Sequence, residues 1–175
     1  MKTFSSPVVL ARPLDETWTT LRDGLPALAP RLPGVISIKE IGREDPGGGK
    51  LRVVNEWHVN YAMPAAIRSM IGLADIGWID RSTWDIGSHV CAWKIQPLLS
   101  KHVACEGRTS FEPAADGKGT RVVLDGTLEI KPEVFGRGTS MAQKIAAKVL
   151  EGVVAGMIRK NLRAVLEAAG THRGR

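Results

Sequence analysis

The chain has 175 residues, 43% of them apolar and 24% charged, with a net charge of +6 and a pI near 9.6. A single domain of this length can bury about 70% of its unfolded surface, so neither disulfides nor a metal is needed to hold it together. The opening "MKTFSSPVVLARPLDE" lacks the apolar core and small-residue cleavage site of a secretory signal, and no run approaches a membrane span. With Cys91 and Cys105 as the two cysteines, the reading is a reducing cytoplasm and free thiols. The basic residues are scattered, concentrated only in "RKNLR" and "THRGR", and no nucleic-acid-binding motif is present. The positive charge therefore reads as a solvated surface, and no nucleic acid partner is expected.

Residues 3–11, "TFSSPVVLA", read as a strand. Leu14, Trp18, Leu21 and Leu25 then recur at helical spacing, with Asp15 and Glu16 suited to a first turn. This predicts a helix to about Asp23 and an irregular or short second helix near "PALAPRL". "VISIKEI" (35–41) alternates and pairs through the turn cluster "GREDPGGGK" (42–50) with "LRVVNEWHV" (51–59). The "GGGK" is no phosphate loop: Glu44 stands where the first glycine belongs, Leu51 where the hydroxyl belongs, and a strand follows.

The next stretch, "AMPAAIRSMIGLADIGW" (62–78), interrupts the strands. Pro64 suits a helix start and Gly72 a helix stop, and Ile67, Met70 and Ile71 make one apolar side. Residues 63–72 form a candidate lid, since Met adapts to irregular apolar partners. A fixed packing helix and a membrane-contact edge are the competing readings.

Strand signals resume at 78–86, 89–98, 101–113 and 120–130, separated by short turns such as "DIGSH" and "AADGKG". This spacing is that of an antiparallel meander. Residues 140–170 read as one helix about 45 Å long. Its stripe is Ala142, Ile145, Val149, Val153, Ile158, Leu162, Val165 and Ala169.

Strand, helix, six strands, long helix: this order, with "WIDRSTWDIGSHVCAWKI" and the C-terminal helix, resembles the START-like or helix-grip superfamily. That superfamily includes the major birch pollen allergen and the polyketide cyclase/dehydrase families. The resemblance implies an α+β domain over residues 1–175, the tail from about 171 excepted. Its bent antiparallel sheet of about six to seven strands wraps around the long C-terminal helix. It also implies a cavity for a hydrophobic ligand between sheet and helix.

Alternation assigns the inner face independently of that resemblance. Asn55 and Trp57 share one face of their strand with Val53 and Val59, and Trp78, Asp80, Ser82 and Trp84 share a face of theirs. Trp93, Thr109 and Leu124 fall on inner faces in turn. Four of the five tryptophans thus look inward, where indoles either fill a core or wall a pocket. Asn55, Asp80, Ser82 and Thr109 are polar groups among them, able to orient a ligand or to be satisfied by each other or by water. A register error near Trp78 would instead turn Asp80 outward. In the helix, Gly152 and Gly156 in "GVVAG" would admit close approach of a ligand or of the sheet. The candidate ligand-binding residues are Asn55, Trp57, Ile67, Met70, Trp78, Asp80, Trp84, Trp93, Thr109, Leu124, Val153 and Met157.

Catalytic patterns are sparse. His58, His89, His102 and His172 make no metal-ligand spacing, and no serine sits in a nucleophile elbow, so neither metal nor cofactor is expected. Glu56 and His58 share a strand face that alternation turns outward. The reading is a binding or transport domain for a hydrophobic small molecule or lipid. The alternatives are a polyketide cyclase or aromatase-like enzyme, with Asp80 as a conceivable acid, and a lipid shuttle docking on membranes through the basic residues near 159–163. Oligomeric state is left open.

Overall fold

The computed structural model describes residues 1–60, 76–98, 101–115, 117–136 and 139–171. Seven strands are present: β1 (Lys2–Leu10), β2 (Val35–Gly47), β3 (Lys50–Val59), β4 (Ile76–Asp85), β5 (Val90–Pro97), β6 (Val103–Pro113) and β7 (Thr120–Ile130). Helices α1 (Leu14–Asp23) and α2 (Leu25–Leu28) lie between β1 and β2, and α3 (Met141–Thr171) ends the chain. All neighbours pair antiparallel in the order β1-β7-β6-β5-β4-β3-β2, so the first two strands form opposite edges of one sheet. This is the helix-grip fold. The proposed lid, residues 63–72 with Ile67 and Met70, lies outside the described residues.

Local chemistry explains the bends. The β2–β3 hairpin turns on Gly47, Gly48 and Gly49, with φ of 82°, 66° and 71°, a left-handed path that side chains resist. The Gly47 N–H donates to Asp45 Oδ1 at 2.8 Å. The "GGGK" run is thus a hairpin tip, and β2 extends further than its alternation implied. Three register shifts along β2 curl this edge of the sheet. In α1, Trp18 and Leu21 are buried on the side facing the sheet.

Helix α3 packs on β1 and β7 and is also touched by α1 and α2. Its C-terminal half buries Val165, Leu166, Ala168 and Ala169, close to the expected stripe. Its N-terminal half is rotated away from that expectation: Ile145, Val149 and Val153 are exposed, and the buried face is Ala147, Leu150, Glu151 and Ala155. Small residues allow the helix to lie close to β7. Glu151 is held there because its Oε1 accepts the Ile130 N–H at 3.1 Å and its Oε2 accepts from Lys148 Nζ at 3.3 Å. Burial pushes the Glu151 carboxyl up, but these partners and the Met1 ammonium outweigh it, leaving it below the usual range. Gly152 and Gly156 do not admit a close neighbour: a Cβ at either would meet nothing within 4 Å. Among the described residues, no helix is long and apolar enough to cross a membrane.

Candidate ligand cavity

A hollow of about 150 Å³ lies between the concave face of the sheet and the C-terminal half of α3. Its sheet wall is Asn55 and Trp57 from β3, Trp78, Asp80, Ser82 and Trp84 from β4, Cys91, Trp93 and Ile95 from β5, Thr109 and Phe111 from β6, and Leu124 from β7. Leu21 and Leu25 close it at the α1–α2 corner, and Ile158, Asn161, Leu162, Val165 and Leu166 form the helical wall. The register is the one alternation implied, with Asn55 opposite Asp80 and Trp57 opposite Trp78. No slip turns Asp80 outward.

Trp93 is laid across the sheet by a row of four residues. Phe4 pairs with Gly126, Gly126 with Gly107, and Gly107 with Trp93. A Cβ on Gly126 would stand 2.5 Å from the Phe4 ring and 2.8 Å from Trp93. The two glycines therefore make the space in which the rings of Phe4 and Trp93 stack, 6.4 Å apart and 25° from parallel. Trp93 Nε1 then donates to Thr109 Oγ1 at 3.1 Å.

At the α1 end the Trp84 indole N–H is also consumed, while Trp18 Nε1 is buried without a partner among the described residues. Trp84 Nε1 donates to Ser82 Oγ at 3.0 Å, and Ser82 Oγ donates to the Val53 carbonyl at 3.1 Å. Trp18 packs edge-on against Trp84 and Phe111, with centroids 4.9 and 5.1 Å away. The other end differs. Trp57 and Trp78 stack at 5.4 Å, and Trp57 Nε1, Asn55 Oδ1 and Asp80 Oδ1 are all buried without a hydrogen-bond partner among the described residues. Asp80 as a residue is half-buried, but this oxygen is fully enclosed. Burial pushes the Asp80 carboxyl up to about 7. Burial also raises the Cys91 thiol, with the Asp80 charge adding to it, and pushes Cys105 up to about 12, so both cysteines are inert thiols.

The sequence family described as polyketide cyclase/dehydrase and lipid transport matches residues 1–169. The chain belongs to that family. Solved structures agree at the level of fold. TTHA0849 from Thermus thermophilus superposes with a TM-score of 0.67 at 21% identity, over 97% of this chain and 94% of that one. The Zhui aromatase/cyclase from Streptomyces sp. R1128 gives 0.64 at 21% identity, over 96% and 93%. Ara h 8.0201 gives 0.63 at 15% identity, over 97% and 95%. No curated protein is significantly similar in sequence.

In this family member the hollow brings together Asn55, Trp57, Trp78, Asp80, Trp84, Trp93, Thr109 and Leu124 from the sequence-derived set. Val153 and Met157 are not in its wall: Val153 is 38% exposed, because the N-terminal half of α3 turns that side to solvent. Glu56 and His58 lie outside the hollow, half-buried, 3.5 Å apart. Sequence reasoning missed Leu21, Leu25, Phe111 and Asn161 as wall residues. For Asn161 a signal existed, a lone amide between the stripe positions Ile158 and Leu162.

Proposed function

We propose that this protein binds or carries a compact hydrophobic molecule in the hollow between sheet and α3. The observation that carries the reading is the wall itself: indole and aliphatic surface over most of its area, with unpaired polar atoms gathered at one end. Ligand sites are built this way, with apolar burial supplying affinity and a few polar groups fixing orientation. A volume of about 150 Å³ suits a single aromatic ring better than a long acyl chain. The family description, polyketide cyclase/dehydrase and lipid transport, names activities on hydrophobic molecules and supports the same reading.

Titration with toluene, followed by ligand-observed NMR, tests it. Wild-type protein is expected to bind toluene saturably, and Val165→Phe, which fills the hollow from α3, to lose that binding while keeping its fold. A wild-type protein that takes up no toluene would sink the reading.

One observation favours a second, catalytic reading: a buried carboxyl that is protonated up to about neutrality can donate a proton to a bound polyketide. It requires turnover of such a substrate that Asp80→Asn abolishes while binding persists.

A further inference from the structure

Asp80 is the only residue in the described wall of the hollow that carries a formal charge, and no lysine, arginine or histidine stands there. Its Oδ1 and the Oδ1 of Asn55 are both buried acceptors without a donor among the described residues. The two residues are directly opposite each other on β3 and β4 and face the same side of the sheet. In the same pattern Trp78 precedes Asp80 by two residues, Trp57 is opposite Trp78, and Trp93 is opposite Ser82. Side chains at such positions stand within reach of one another. Two unmet acceptors, one of them able to carry negative charge, thus lie on the same face as the stacked indoles of Trp57 and Trp78.

The geometry points to a ligand with a protonated amine head seated on Asp80 and Asn55, beside the stacked indoles of Trp57 and Trp78, and a body of about one aromatic ring in the rest of the hollow. This rests on the cavity reading above and specifies its occupant. An ammonium brings several donors and so satisfies both oxygens, whereas a hydroxyl brings one. It also neutralises a carboxylate that burial otherwise penalises, and it favours the charged form of a group now pushed up to about 7. Indole faces are the negative poles of their rings and attract a cation. A carboxylate ligand would meet Asp80 with no cation in the described wall to offset it. The Trp57 Nε1–H, a donor, is left for an oxygen elsewhere on the ligand or for water.

The test compares three molecules of nearly one shape at about pH 7, where the amine is protonated: 2-phenylethylamine, 2-phenylethanol and phenylacetate, each titrated calorimetrically. The expected order is amine tightest by about tenfold over the alcohol, with phenylacetate weakest. Asp80→Asn should bring the amine to the level of the alcohol, and alcohol binding by that variant reports an intact hollow. Asn55→Leu removes the second acceptor and keeps the charge, so it should reduce the preference for amine without abolishing it. An alcohol that binds as tightly as the amine, or a preference that survives Asp80→Asn, overturns the amine assignment and leaves the cavity standing. If none of the three binds, both fall.

Discussion

The two ends of the concave face use the same residue types to different effect. Around Trp84, the indole of Trp18 meets Trp84 and Phe111 edge to face, and Trp84 Nε1 is satisfied through Ser82. Around Trp78, two indoles stack and three buried polar atoms have no partner. Tryptophan content does not separate core from site here. Hydrogen-bond satisfaction does: at the α1 end Trp18 Nε1 is the one indole N–H left unpaired, whereas the Asp80 end leaves a donor and two acceptors. An unsatisfied buried group costs on the order of 1–3 kcal/mol, so the Asp80 end is held at a cost in stability that a ligand can offset.

That contrast can be broken by mutation. Trp84→Ala removes a large side chain that is 7% exposed and touches two other rings, and should cost about 3–5 kcal/mol by urea denaturation. Asp80→Asn, at the other end, should cost nothing and stabilise the protein at neutral pH. The sign follows from the raised folded value. An unfolded aspartate titrates near 3.8, so between there and about 7 the folded state holds a proton the unfolded state has released. Stability contributed by this group is therefore lost as pH rises through that window, by on the order of 4 kcal/mol at most. The carboxyls held low by partners, such as Asp23 and Glu40, lose their contribution only at acid pH. The difference between wild type and Asp80→Asn in denaturation midpoint should accordingly widen from about pH 5 to pH 7. A flat difference would place Asp80 in a solvated setting.

The smallest effect lies outside both ends. Gly152→Ala and Gly156→Ala on α3 should each raise stability by up to about 1 kcal/mol, because neither added Cβ meets a neighbour and alanine favours helix. A thermal melt reads this directly, and destabilisation by either would mean that a partner packs there.

Much of the sheet was legible in the sequence because a two-residue period leaves little choice. Placing Val53, Asn55, Trp57 and Val59 on one face carries Trp78, Asp80, Ser82 and Trp84 with it once the strands pair. The helix was less legible. Ile145, Val149 and Val153 form a true apolar stripe, but α3 turns it outward and packs through Ala147, Leu150 and Ala155 instead. Periodicity identifies a stripe, and it cannot tell which side the sheet will cover when small residues permit a closer approach. Glu151 hid for a related reason: its burial depends on the Ile130 N–H, twenty-one residues away, which no local pattern announces. Nor does any spacing reveal that Ser82 and Thr109 would be occupied by indole N–H groups while Asn55 and Asp80 were not. That distinction is a matter of side-chain geometry, and it is what marks the proposed site.

The proposed function requires the hollow to take up a small hydrophobic molecule. Mass spectrometry of an organic extract of freshly purified protein, beside native mass spectrometry of the intact sample, tests it most directly. The expected result is one compact molecule bound in a one-to-one ratio, or, from unloaded protein, uptake of one from a panel of apolar amines and alcohols. Unloaded protein that also refuses that panel would contradict it, leaving the four inward-facing indoles with a packing role alone.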